Sequence, residues 1–386
     1  MFYPVATTTL SIVSGLVGYK FAVSSDPAGA KGYVLAIAFG LLVQVPLVAL
    51  ISNRRDKLVK LENVLRFVSI RIRLGVGLSW MMSLLMGLLY VSFGKIIFGY
   101  LSLIFVGTAV QYASYRESSG QLVRDIKTFW KIQFLGAWVR AIGVGLLVII
   151  YRFDYPGILI ANIAAALVIC IQYGCNPFDH LSRIDQIIRA VKLGWKKLIT
   201  IDGIMRSAKA SYEASIISFG ALAVEKFAGT PIHSIEAMYG AVGYVNTLAV
   251  GLRQVLSSWE LDLMKPPSIR WLMAIFIFGS MLAVLLQQYF GFFNVFLPRM
   301  ARDSLVKIIE ACGIFVVIFP LTRGFLYLDY RSPVKVKQFA KAVLFSLLIS
   351  VVIVVIAIRM GGDLVSPLWA AVAPLSIALG LRFSRA

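Results

Sequence analysis

Apolar segments recur along the whole chain, each roughly 18 to 24 residues long and set apart by short polar connections. At about 1.5 Å of rise per residue, each helix is long enough to cross a hydrocarbon core of about 30 Å. Composition agrees: 59% of the residues are hydrophobic and the mean hydropathy is +0.85, above a soluble domain. The fold class is therefore an all-α polytopic membrane protein.

Twelve spans are expected. The first six fall near 4–23, 34–52, 74–93, 96–115, 132–151 and 157–173. The second six fall near 210–228, 236–258, 271–290, 305–327, 339–358 and 364–381. The net charge of +20 raises a nucleic-acid reading, which the positions of the basic residues oppose. Counting the tail, 26 of the 38 Lys and Arg lie in one alternate set of connections and seven in the other. That asymmetry is the positive-inside pattern, and it predicts cytoplasmic termini. No basic leader region precedes the first apolar segment, so that segment is expected to remain as a helix. Cys170, Cys175 and Cys312 make no disulfide or zinc pattern.

The domains expected are an N-terminal six-helix lobe at 1–175, a cytoplasmic amphipathic linker at 176–209 and a C-terminal six-helix lobe at 210–386. The linker run DQIIRAVKLGWKKLITI has the composition of a helix lying along lipid headgroups. The lobes repeat each other. VGYKFA around Lys20 matches AVEKFA around Lys226, and a Tyr-Arg basic segment joins the fourth and fifth spans of each half. Six spans per half give equivalent helices the same orientation, so the repeat is parallel. Gly15 with Gly18, and Gly136 with Gly143, would allow close helix approach.

Five basic residues fall inside spans: Lys20, Arg140, Lys226, Arg253 and Arg323. A cation at a helix centre costs about 2.5–3.5 kcal/mol, so each should meet a cavity, a partner or the interface. Arg140 is the deepest, about 14 Å along its helix from Lys131. Lys20 and Lys226 lie near the outer ends of their spans, where snorkelling to headgroups is the competing reading. Arg253 and Arg323 lie in the cytoplasmic third, with the same alternative. The interior acids are Glu213, Glu225 and Glu310. Glu213 and Glu225 are candidates for ion coupling, against an interfacial place for the first and simple neutralisation by a lysine for the second. The interior is net positive, and such a cavity would bind an anion, phosphate above all.

Enzyme readings find little support. The histidines, His180 and His233, fall in connections, and no Walker, HExxH, GxSxG or GxGxxG motif occurs. No metal or cofactor is expected.

The seventh span SYEASIISFGALAVEKFA, the stretch IEAMYGAVGYVNTLAVGLRQVLSSWELDL after it and the passage YASYRESSGQLVRDIKTFWKIQFLGAWVRAIGVGLL resemble one family. It is the oligosaccharide-lipid flippases, the Wzx-type O-antigen and polysaccharide exporters. They share the multidrug/oligosaccharidyl-lipid/polysaccharide exporter superfamily with lipid II flippases and multidrug-and-toxin extruders. The resemblance implies a V-shaped, two-lobed fold with a central cationic cavity and alternating access. The implied cargo is an undecaprenyl-diphosphate-linked oligosaccharide, moved to the outer leaflet for polysaccharide or lipopolysaccharide biosynthesis. Lys20 is the positional match to a diphosphate-contacting residue of the lipid II flippases. Some relatives hold sodium with acids on spans seven and eleven; span eleven here, FAKAVLFSLLISVVIVVI, has none. Proton, sodium or the membrane potential therefore stay open as energy source. The implied partners are membrane lipids, a glycan polymerase and chain-length machinery, around a monomer. The alternatives are a multidrug-type antiporter of the same fold and a membrane enzyme of glycan assembly. The antiporters usually rely on first-lobe acids, and the first six spans carry none at membrane depth.

Overall fold

The chain divides into two compact units, Met1–Ala214 and Ser215–Ala386. The computed structural model describes residues 2–51, 61–114 and 125–178 and six helical positions between 185 and 196, all in the first unit. The six spans expected beyond 209, and the repeat that relates them to the first six, lie outside the described residues.

The first unit is built from six helices: α1 (Phe2–Ser25), α2 (Gly29–Ile51), α3 (Leu61–Phe93), α4 (Ile96–Ala113), α5 (Ile126–Val144) and α6 (Asp154–Gln172). No strand occurs among the described residues. Helices α3 to α6 contain segments long and apolar enough to cross a membrane. The lipid-facing sides are visible as stripes of exposed apolar residues. On α3 these are Met81, Leu84, Leu88 and Val91, the last 82% exposed. On α5 they are Leu135, Trp138 and Ile142. Water would not tolerate such stripes, and lipid covers them. The protein is an integral, multi-pass membrane protein.

All the described helices but α4 begin earlier than hydropathy predicts, α3 and α5 by the most. The sequence places the third span from 74, whereas α3 starts at Leu61 and runs for 33 residues, about 50 Å. The intervening LENVLRFVSIRIR has neither Gly nor Pro to stop a helix, so Arg66, Arg71 and Arg73 ride on α3 rather than on a loop. The sequence places the fifth span from 132, whereas α5 starts at Ile126 because Asp125 caps it. The Asp125 carboxylate accepts the backbone N–H groups of Lys127 and Thr128, each at 3.1 Å, and the Thr128 hydroxyl.

After Val144 the helix widens into a π segment, Gly145–Ile150, where the Tyr151 N–H bonds Leu146 O at 2.9 Å. The chain then turns through Arg152 and Asp154, whose φ angles of 57° and 44° are unfavourable for side-chain-bearing residues. Helix α6 ends in a Schellman motif. Gly174 takes φ of 65°, the Cys175 N–H bonds Cys170 O at 2.9 Å and the Gly174 N–H bonds Ile171 O at 3.0 Å.

Helix α1 packs on α5 and α6, and α4 packs on α2, α3 and α6. The expected close approaches at small residues are present. A Cβ at Gly18 would meet Val144 Cγ1 at 2.8 Å, and one at Gly143 would meet Ala161 Cβ at 2.9 Å. Between α3 and α4, Ser83 Oγ donates to Ser102 O at 3.1 Å and Ser102 Oγ to Ser83 O at 3.0 Å. Such paired bonds substitute for water inside a bilayer.

Candidate functional site

Helix α5 continues through the π segment to Ile150, so Arg140 stands well inside it. Lys131 is about 14 Å away along the axis on one side and Arg152 about 18 Å on the other. At 100° per residue, Arg140 is turned about 140–160° from Leu135, Trp138 and Ile142. It therefore faces away from lipid, toward α1.

What it meets there is Gly15. A Cβ at that position would lie 2.9 Å from an Arg140 terminal nitrogen and 3.8 Å from its Cζ. Glycine leaves the room that the guanidinium occupies. On the same pair of helices Tyr3 contacts Phe134 edge-on at 5.6 Å, and Gly18 lies against Val144. The register rises together, so α1 and α5 run parallel. The Arg140 Nε is buried and makes no hydrogen bond. No carboxylate pairs with Arg140 among the described residues.

Above this level, toward the α1–α2 turn, four tyrosines from four helices form one knot. Tyr33 of α2 stacks on Tyr155 of α6 at 5.0 Å. Tyr19 of α1 lies 6.3 Å from each of them, and Tyr100 of α4 lies 6.2 Å from each. Tyr155 is fully buried, and its hydroxyl donates to Asp26 O at 2.9 Å. The Asp26 carboxylate in turn accepts the Gly29 N–H at 2.9 Å and starts α2. A buried phenol of this kind holds helix ends in place through ring packing and one directed bond.

Lys20 is half-buried on α1. It sits five residues past Gly15, about 140° around the helix from the face that meets Arg140. The structure does not bring Lys20 and Arg140 onto one face of α1. Lys226, Arg253, Arg323, Glu213 and Glu225 lie outside the described residues. The tyrosine knot and Asp26 are not among the residues that the sequence singles out. Asp26 had a legible signal, Asp-Pro two residues before a glycine at a helix start. The tyrosines had none, because their meeting depends on how four helices are rotated.

No family model matches the sequence, and no curated protein matches it. Solved structures do resemble it. A crystal structure of a MATE in complex with MaL6 aligns over 100% of this chain and 93% of its own, with 14% identity and a TM-score of 0.61. A crystal structure of the eukaryotic MATE transporter AtDTX14 aligns over 99% and 94%, with 11% identity and a TM-score of 0.58. The chain has the all-helical, twelve-helix fold of the MATE transporters.

Proposed function

We propose that this chain is a transporter of an anionic lipid-linked cargo, a polyprenyl-diphosphate oligosaccharide, carried from the cytoplasmic to the outer leaflet. The observation that carries the reading is Arg140: a guanidinium near mid-span, turned from lipid, its Nε buried and unbonded, with no carboxylate beside it among the described residues. A cation so placed is expensive to keep in a bilayer unless an anion visits it. A guanidinium also suits a diphosphate, because its fork takes two oxygens at once. Lys20, Lys226, Arg253 and Arg323 would extend the path for the diphosphate, and Glu213 and Glu225 would couple an ion to the cycle. The positive-inside pattern supports cytoplasmic termini in a bacterial inner membrane.

Proteoliposome transport of a radiolabelled polyprenyl-diphosphate sugar tests the reading. Uptake is expected with the native chain and lost in Arg140→Met. Absence of uptake, with the protein folded, would refute it. The likeness of fold to MATE transporters favours a second reading, a multidrug-type antiporter. A cationic dye expelled against a proton or sodium gradient, unaffected by Arg140→Met, would establish that reading instead.

A further inference from the structure

The exposed apolar stripe of α5, Leu135, Trp138 and Ile142, continues toward the start of the helix through Lys131 and Lys127, both exposed. All five residues lie on the unbroken helix Ile126–Val144. At 100° per residue they fall within about 80° of one another. Helix α6 has a comparable stripe, Ile160, Leu167 and Ile171. That one ends at the same side of the membrane on Gln172 and Asn176, with no cation up to Phe178.

Two contacts fix the tryptophan on this face. Phe134 meets the Trp138 ring edge-on at 6.2 Å, and Tyr3 of α1 braces Phe134 from behind at 5.6 Å. The bracket leaves the indole 47% exposed. Along the axis Trp138 lies about 10 Å from Lys131, and Lys127 stands about 6 Å further toward the headgroups. Lysine stems at a membrane boundary lie along apolar surface and carry their ammonium groups to phosphate. Two lysines one turn apart on one face can close on a single phosphate. Asp125, the described acid at this end, uses both carboxylate oxygens in the α5 cap.

We propose that this stripe is a binding site for an anionic phospholipid of the bilayer. Lys127 and Lys131 hold its phosphate, and Leu135, Trp138 and Ile142 receive its acyl chains. Charge complementarity selects the occupant: a zwitterionic lipid brings a cationic headgroup against the two lysines, and an anionic one does not. The site is independent of Arg140 and of the cargo assigned to it, because Arg140 is turned about 180° around α5 from Lys131.

The test uses the full chain in nanodiscs of an equimolar mixture of phosphatidylcholine and phosphatidylglycerol. No polyprenyl lipid is present, so any response belongs to the phospholipid. Acyl-chain bromine is carried by one lipid or the other, and tryptophan fluorescence is recorded for each. The difference between the native chain and Trp138→Phe gives the Trp138 component. Brominated phosphatidylglycerol should quench that component several-fold more strongly than brominated phosphatidylcholine, and added salt should narrow the gap. With Lys127→Gln and Lys131→Gln together, measured in the same way, the two lipids should quench equally. The preference and its salt dependence are read without altering a lysine, so misfolding of the double variant would not decide the outcome. Equal quenching by the two lipids in the native chain would overturn the proposal, as would a preference that survives the double substitution. Absence of quenching by either lipid would also overturn it, since water or a protein surface would then face the stripe.

Discussion

Replacing Arg140 with methionine separates a binding cation from a structural one. A cation held mid-span costs about 2.5–3.5 kcal/mol on the insertion scale. The headgroup-level basic residues Lys131 and Arg152 lie about 14 and 18 Å away along α5, too far for a guanidinium that already rests on Gly15. Among the described residues no carboxylate would be stranded by its removal. Arg140→Met should therefore keep or raise stability, by up to about 3 kcal/mol. A charge-assisted hydrogen bond is worth about 1.5–3 kcal/mol, so apparent affinity for a diphosphate lipid should fall about 10- to 150-fold. Arg140→Lys should restore part of it, since the charge returns without the fork. Reversible unfolding in mixed micelles gives the first quantity, and substrate-dependent proteoliposome transport gives the second. The signature is opposite movement of stability and transport. If both fall together, Arg140 is a structural partner and the reasoning fails.

Gly15→Ala keeps every charge but places a Cβ 2.9 Å from the Arg140 guanidinium. Transport should drop while thermal stability holds, because alanine favours the helix and only a side-chain tip must move; unchanged transport would detach Gly15 from the site. Tyr155→Phe removes the bond to Asp26 O and should lower stability by about 0.5–1.5 kcal/mol, with faster amide exchange in the α1–α2 turn as the check. Gly143→Leu would drive a side chain into Ala161 of α6 and should destabilise by about 1–3 kcal/mol, measured by the same unfolding assay. Hydrogen bonds from the Thr128 side chain and backbone hold the Asp125 carboxyl below its ordinary range. A depressed carboxylate contributes above its unfolded pKa and ceases to as pH falls through the folded value. Protection of the first turn of α5 should therefore decline only in acid, and Asp125→Ala should flatten that dependence.

Hydropathy alone placed the apolar segments of α3 to α6 and put Arg140 well inside the fifth, because both depend on local sums along the chain. The same property set most starts too late, those of α3 and α5 by the widest margins. Membrane burial does not end a helix, so α3 continues down to Leu61 past three arginines. Nor does hydropathy register a cap, so the Asp125 cap moved the start of α5 to Ile126. What the tertiary structure decided is rotation. A helix that is apolar all round carries little sequence record of which side meets protein. Sequence could count Arg140 and Lys20 as two cations in one lobe. Packing of α1 on α5 decided that Arg140 lies over Gly15 and that Lys20 turns away. The four tyrosines are likewise far apart in sequence, and only the meeting of α1, α2, α4 and α6 makes them one cluster. Depth is a sum over neighbours in the chain and survives in one dimension; facing is a relation between helices and does not.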